Sequence, residues 1–537
     1  MSWQDEVDGI EERSKLAKKM GGDEAVARQH ARGRMTIRER IDALADAGSF
    51  REEGPLAGFG ELDDEGRLKE FTPGNYVLGV AQLDGNPVVV GGEDFTQRGG
   101  SPTPSGLRKS VYAEELALRY RLPLVRFLEG GGGSVTGTSG KGSSAPRPMG
   151  DPVYAPSRFK SMADALECAP VVSAAVGAVA GLPAARLAAS HFSVMTRNTS
   201  QVLVAGPAVV ERALGEKLTK EELGGAKIHL RSGLVDNVAE DEPGVIDQIR
   251  RFLSYLPRNV SEMPARSNTE TIGLDDPLLQ DDPLRQDDPL RQDEFLLEIV
   301  PRERRKIYKM RRIVESVVDQ NSFFEMTALY GRSQITGLAR LNGWPVGIWA
   351  NDPRFYGGSM TAHGAQKVRR FIELCDRFHL PMVALVDEPG FMIGSASEKA
   401  ATIRYGVDAI CATVRSKVPW VSVIVRKTYG VAAAAHFGPA GEVYAWPSAE
   451  GGALPIEGGV AVAFRREIEA APDPEARRQE LEAQFLGRQN PFARAEAFGV
   501  HNVIDPRQTR PALCRWIELA RPVLEQAVLG TRMDAPS

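Results

Sequence analysis

Cysteine is scarce: Cys168, Cys375, Cys411 and Cys514 are the four in 537 residues, and none stands in C-x-x-C spacing. That distribution suggests neither a disulfide framework nor a zinc site, and it fits a reduced, cytoplasmic setting. No apolar run approaches the length of a membrane span, and the first residues form an acidic helical pattern without the apolar stretch of a secretory leader. The expectation is a soluble cytoplasmic chain with no membrane association. A surplus of one charge is missing too: 66 Lys and Arg stand against 71 Asp and Glu, a net charge of −5, which gives no general reason to expect nucleic acid. The G-x-S-x-G, H-E-x-x-H, Walker A and full G-x-G-x-x-G motifs are absent. The histidines (His30, His191, His229, His363, His379, His436, His501) form no metal spacing, so no metal is expected. An acid/base set is therefore missing, which points to chemistry whose base comes from a cofactor or the substrate.

What is present is a duplication. Displaced by 258 positions, Gly79-Val80-Ala81-Gln82-Leu83-Asp84-Gly85-Asn86-Pro87-Val88 falls on Gly337-Leu338-Ala339-Arg340-Leu341-Asn342-Gly343-Trp344-Pro345-Val346. The register then carries Asp94 onto Asp352, Gly99-Gly100-Ser101 onto Gly357-Gly358-Ser359, Lys109 onto Lys367, and Leu122-Pro123 onto Leu380-Pro381. A second block follows at an offset of 249, with Pro170-Val171-Val172-Ser173 on Pro419-Trp420-Val421-Ser422 and Gly181 on Gly430. The offset falls by nine because the first copy carries a longer Gly-rich loop, 130–150. One offset held over some fifty residues marks a repeated domain. The length also exceeds what one core organises.

In the first copy, helices are expected up to about residue 47, including a Thr36 cap with Glu39 three residues on. Strands follow over 71–90 with a turn at Asp84-Gly85-Asn86, then a helix over 105–120, a strand over 122–128, a helix over 161–168 and a strand over 171–179. The second copy repeats the order: strands over 335–349, helix 364–378, strand 382–386, helix 398–416 and strand 421–425. Alternating strands and helices argue an α/β fold with crossover connections. The domains divide as 1–260, a linker over 261–294, and 295–537. In the linker, Asp275-Asp276-Pro277-Leu278-Leu279-Gln280 recurs at 281–286 and 287–292. These units are too few for a solenoid, and without a ligand loop they read as an acidic extended segment rather than a calcium site.

Two strand-to-helix turns carry the candidate chemistry. Val176-Gly177-Ala178-Val179-Ala180-Gly181-Leu182-Pro183-Ala184 and Val425-Arg426-Lys427-Thr428-Tyr429-Gly430-Val431-Ala432-Ala433-Ala434 each pass from a buried strand into small residues. Helix N-termini leave N–H groups unpaired, and two adjacent free amides form an oxyanion hole suited to a thioester carbonyl becoming an enolate. The alternative is a plain Gly turn with small residues for close packing. Gly130 to Gly133 is either a phosphate cradle or a flexible loop, and Lys141 lies too far on for a P-loop. His436 is a base or a helix histidine beside the site, and Asp387-Glu388-Pro389-Gly390 a carboxylate base or a strand end.

Asp387-Glu388-Pro389-Gly390-Phe391, Arg426-Lys427-Thr428-Tyr429-Gly430, Ala445-Trp446-Pro447-Ser448-Ala449-Glu450 and Asn490-Pro491-Phe492 resemble the C-terminal half of the β (carboxyltransferase) subunit of biotin-dependent acyl-CoA carboxylases. Arg34-Met35-Thr36-Ile37-Arg38-Glu39-Arg40, Gly99-Gly100-Ser101, Ala205-Gly206-Pro207 and Leu223-Gly224-Gly225-Ala226-Lys227-Ile228-His229 resemble its first half. The resemblance runs from about residue 9 to 530, and it implies two tandem crotonase-like domains of the ββα superhelix type, commonly in a homohexamer. Each active site then lies between the N-domain of one subunit and the C-domain of another.

The resemblance also implies the reaction. Carboxybiotin on a partner subunit supplies CO2, the freed biotin ureido group takes the α-proton of an acyl-CoA, and the enolate is carboxylated. Carried over by position, Gly181 and Leu182 face the thioester oxygen, and Val431 and Ala432 the ureido oxygen. Gly99, Gly100, Tyr429, Gly430 and Ala434 are substrate-binding. The chain departs from the family at Leu182 and Val431, where the family usually has small residues, at Pro183, where it has no proline, and at Ala434, where it has Asp or Ile in the acyl pocket. It has neither a biotinylation hairpin nor an ATP-grasp domain, so the resemblance implies a biotin carboxylase/biotin carrier α-subunit that uses ATP and bicarbonate. Two other readings are a biotin-dependent decarboxylase subunit and a non-catalytic paralogue that assembles with active subunits.

Overall fold

Alternating apolar residues on either side of Asp84-Gly85 favour a hairpin. Asp84 (φ 50°) and Gly85 (φ 76°) both adopt the left-handed backbone that a two-residue turn needs to match strand twist. The computed structural model describes residues 2–131, 158–267, 287–304, 306–486 and 491–533. In it the hairpin joins the antiparallel strands Tyr76–Leu83 and Asn86–Glu93. The second copy repeats it with Asn342 (φ 50°) and Gly343 (φ 79°) between Gln334–Leu341 and Trp344–Asn351.

The chain divides into two compact units, Met1–Val260 and Ser261–Ser537. In the first, the edge-to-edge order of the sheet is Arg51–Glu52, Tyr76–Leu83, Asn86–Glu93, Leu124–Gly130, Val171–Ala180, Phe192–Thr196 and Asn237–Ala239. Gln201–Leu203 pairs with the far end of Val171–Ala180. From Asn86–Glu93 onward the neighbours run parallel. The second unit has the order Phe324–Met326, Gln334–Leu341, Trp344–Asn351, Met382–Glu388, Trp420–Tyr429, Glu442–Ala445 and Asn502–Val503, with Glu450–Gly452 on the end of Trp420–Tyr429. Crossover helices Pro104–Tyr120 and Ala362–Arg377 start at Thr103 and Thr361, whose hydroxyls accept the N–H of Gly106 (3.1 Å) and Gly364 (3.0 Å). Such caps stabilise a helix by about 1 kcal/mol.

The cores follow the pattern. In the first unit Tyr76, Leu78 and Val89 pack with Ala113, Leu116 and Ala117 of the crossover helix. In the second, Ile313, Val314 and Val317 meet Ile335, Val346 and Ile348, and the 25-residue helix Thr509–Met533 adds Leu513, Trp516 and Ile517. Each fully buried side chain of this kind contributes roughly 1.5–3 kcal/mol. Among the described residues no helix is long and apolar enough to cross a membrane, and no group of three or more His, Cys, Asp and Glu could hold a metal ion.

Three expectations are revised. The strand expected over 71–90 loses its start to a separate ribbon of Gly58–Leu62 with Leu68–Pro73. The helix expected over 398–416 is broken at Ala401 (φ 54°), which separates Ser395–Lys399 from Thr402–Arg415. The third acidic repeat is docked rather than free: Asp287 accepts the Gln320 N–H at 2.6 Å, and Arg291 Nη2 donates to the carbonyls of Ser316 (2.6 Å) and Val318 (2.9 Å). The first repeat and the second (275–286), the loop beyond Gly131 with Lys141, and Asn490 lie outside the described residues.

Candidate active site

Strands Leu124–Gly130 and Met382–Glu388 both shift register near their carboxyl ends, and the shifted residues pair in matched fashion, Gly130 with Val179 and Glu388 with Thr428. Beyond those pairs each following strand turns outward. Gly181 (φ 69°, ψ −130°) precedes the helix Leu182–Ala188, and Gly430 (φ 63°, ψ −163°) precedes the 3-10 turn Val431–His436. Such angles strain any residue with a Cβ, which explains glycine at both places.

The two turns free their amides at different points. Gly430 N–H donates to Gly452 O (3.1 Å), so the open amides of the second unit begin at Val431 and continue to Ala432. In the first unit, among the described residues, neither Gly181 N–H nor Leu182 N–H meets an acceptor, while Gly181 O takes the Ala185 N–H at 3.0 Å. Pro183 has no N–H to give. The first pair is thus Gly181 and Leu182, the second Val431 and Ala432. Val431 is 64% exposed, so its bulk points away from the core, and Leu182 is half-buried.

The other candidates fall around these turns in different ways. Gly99 (φ 60°) and Gly100 (φ 68°) make a tight turn against the strand that ends at Gly130; a Cβ on Gly100 would lie 2.3 Å from Glu129 O and 2.7 Å from Gly130 Cα. Gly357 and Gly358 repeat this against Asp387. Tyr429 brings only its backbone to the turn. Its ring is buried, and its hydroxyl receives Arg304 Nη2 at 3.4 Å, with the Arg304 fork gripping Glu450 at 2.8 Å on both arms. Ala434 is exposed on the outer face of the 3-10 turn.

Behind each turn stands a buried acid with its own cations. Asp387 accepts Arg426 Nη2 (3.0 Å), Tyr308 Oη (2.9 Å) and Lys427 N–H (3.0 Å), and burial beside this carboxylate drives the Tyr308 phenol well above its ordinary range. Glu129, the matched residue in the first unit, forms an ion pair with Arg40 Nη1 (2.7 Å) and accepts Arg34 Nη1 (3.1 Å) and Gln29 Nε2 (2.7 Å). Glu388 is fully enclosed, which pushes its carboxyl up, and burial lowers His436 to about 3, so that imidazole is neutral at neutral pH. Glu129 and its partners escape a motif reading because they are separated by 89–100 residues; the signal was its place opposite Asp387 at the offset of 258.

The fold is thus a pair of tandem crotonase-like α/β units, each with a pair of open amides at the carboxyl edge of its sheet. The carboxyl transferase domain model matches residues 28–526, and the chain belongs to that family of enzymes. It is 34% identical over 520 residues to the propionyl-CoA carboxylase carboxyltransferase subunit of Haloferax mediterranei, covering 96% of this chain and 95% of that protein. It is 32% identical over 518 residues to the methylmalonyl-CoA decarboxylase subunit alpha of Veillonella parvula, covering 95% and 94%. Among solved structures, it resembles a transcarboxylase 12S hexamer with methylmalonyl-coenzyme A and methylmalonic acid bound (TM-score 0.82, 30% identity, 97% of this chain and 95% of that one).

Proposed function

We propose that this chain is the carboxyltransferase subunit of a biotin-dependent acyl-CoA carboxylase, with the first unit receiving the acyl-CoA and the second the biotin. The observation that carries the reading is the duplicated turn with two open amides in each unit. Such pairs fit groups that present a single carbonyl oxygen, as a thioester and a ureido ring both do. Biotin on a partner α-subunit, charged at the expense of ATP and bicarbonate, supplies the carboxyl group and the base.

This chain's own residues polarise and orient. The amides of Gly181 and Leu182 hold the thioester oxygen as charge develops on it during loss of the α-proton. The amides of Val431 and Ala432 hold the ureido oxygen. Gly99, Gly100 and Gly430 let the backbone approach the substrates closely, Tyr429 fixes the height of the second turn, and Ala434 leaves room beside the acyl chain. A homohexameric core in the cytoplasm, joined to the α-subunit, completes the proposal, in keeping with the hexamer of the transcarboxylase 12S structure.

The test is incorporation of labelled bicarbonate, with ATP and the α-subunit present, across a panel of acyl-CoAs. The proposal expects acid-stable label on at least one acyl-CoA. Label on none, with the assembly intact, would make the chain a non-catalytic paralogue. Release of CO2 from a carboxylated acyl-CoA, without the ATP-driven direction, would make it a decarboxylase subunit.

A further inference from the structure

The 3-10 turn that offers Val431 and Ala432 ends on His436, which is fully buried. Its carbonyl accepts Trp420 Nε1 (2.8 Å) and Ser422 Oγ (2.7 Å), and its ring stacks on Trp349 with centroids 3.8 Å apart. Among the described residues one polar group meets the imidazole, Glu388 Oε2 at 3.5 Å from Nε2, and Nδ1 has no partner. Glu388 in turn accepts the N–H groups of Met360 (3.2 Å) and Gly390 (2.9 Å) and Asn351 Nδ2 (3.1 Å). Asn351 Nδ2 also donates to Gly358 O at 3.1 Å. A single carboxylate therefore connects the Gly357-Gly358 turn, the end of strand Met382–Glu388 and the foot of the 3-10 turn.

The surrounding charges are engaged elsewhere. Asp387 is held by Arg426 and Tyr308, and Asp352 by Arg311 and Arg354. Among the described residues no lysine or arginine pairs with Glu388, and the side chain facing it from the 3-10 turn is the His436 imidazole. A neutral imidazole serves in either tautomer: Nε2–H donates a hydrogen bond to a carboxylate, or a bare Nε2 accepts one from the O–H of a carboxylic acid. The link survives titration of Glu388.

The first unit lacks this device. The matched positions are Gly130 and Leu187, and a buried carboxyl arrives instead from Glu93, the match of Asn351. Glu93 accepts the Glu129 N–H (3.3 Å) as Asn351 Oδ1 accepts the Asp387 N–H (2.9 Å). Both units place an acid behind the turn; the first ties its turn helix Leu182–Ala188 to a buried carboxylate through the charged pair of Arg186 Nε and Glu114 Oε1 (2.8 Å), whereas the second uses an imidazole.

We infer that Glu388 and His436 are a positioning pair for the second turn, fixing where the Val431 and Ala432 amides point. This rests on the carboxyltransferase reading for its catalytic consequence, while its structural part is readable without activity. The probe is hydrogen–deuterium exchange of the assembled protein. His436→Leu should speed exchange of the segment 430–437 by about tenfold or more and leave 181–188 unchanged. His436→Gln, which keeps an N–H facing the carboxylate, should recover most of that protection. Glu388→Ala should reproduce the His436→Leu pattern, and the double variant should add little to either single change, since both partners of the link are then gone.

In carboxylation assays His436→Leu should lower kcat about 10–100-fold, and His436→Gln should recover most of that loss. Unchanged exchange over 430–437 in a His436→Leu protein of parental oligomer size overturns the pairing, as does full additivity of the two changes. If the parent protein fixes no carbon with any acyl-CoA, the carboxyltransferase reading fails, and the exchange pattern still decides the pair.

Discussion

The turn after Ala180 and the turn after Tyr429 both pass through a left-handed glycine and have quite different support. In the first unit, a cluster of Arg126, Glu114 and Arg186 lies buried beside the strand, with Arg126 Nη1 and Arg186 Nε on Glu114 Oε1 at 3.1 and 2.8 Å. At the matched positions the second unit has Ala384, Ile372 and Ala435, all apolar. The acid behind the turn is kept in both, yet its cations come from different places. Glu129 is paired by Arg34 and Arg40, which lie ahead of the repeated region, and Asp387 by Arg426 on the neighbouring strand. The lesson is that backbone placement was retained through the duplication while the ionic support was rebuilt in each copy.

The largest expected effect breaks that support. Arg40→Met strips Glu129 and Glu242 of a buried partner, contacts now at 2.7 and 2.6 Å, and should destabilise the first unit by about 3–5 kcal/mol. Arg426→Met should do the same to the second unit through Asp387. Calorimetry with limited proteolysis should place each loss in its own unit. A loss of equal size in both units from either change would mean their supports are not independent.

Next come the amides. Leu182→Pro and Val431→Pro each delete one open N–H at a first helical position, where proline is tolerated. Each should cost about 10²–10³ in carboxylation rate, or roughly 3–4 kcal/mol. Release of CO2 from free carboxybiotin, measured without acyl-CoA, should fall in the Val431 variant and persist in the Leu182 variant. Equal behaviour of the two would erase the division of labour between the turns.

A smaller effect sharpens the acyl side. Ala434→Ile adds bulk to an exposed wall of the second turn and should shift preference toward shorter acyl chains by ~1–3 kcal/mol. Competition among acyl-CoAs of different length measures it, and an unchanged ranking removes Ala434 from the pocket.

Much of the scaffold was legible because it depends on local signals. The Asp84-Gly85 and Asn342-Gly343 hairpins, the Thr36 capping box and the helix over 104–120 all announce themselves in a few neighbouring residues. The doubling was legible because the matched strands keep one offset along their whole length, Tyr76–Leu83 on Gln334–Leu341 and Asn86–Glu93 on Trp344–Asn351. The break at Ala401 was not, since no glycine or proline marks it and the surrounding pattern stays helical. The long helix Thr509–Met533 holds Pro522 in its interior, and burial of Leu513, Trp516 and Ile517 supports a residue that disfavours helix. The ionic network behind the turns was illegible for a different reason, as its partners meet only through tertiary packing.

Gly177 has a consequence for how such a chain can be edited. A Cβ there would lie 2.4 Å from Glu129 Oε1, and the matched residue in the other copy is Arg426. Recombination that copied the Trp420–Tyr429 segment over Val171–Ala180 would drive a guanidinium into space the carboxylate already fills, beside two arginines that already neutralise it. The reverse exchange would leave Asp387 without its main cation. The halves are therefore no longer interchangeable at this segment: sterics block the exchange in one direction and charge in the other.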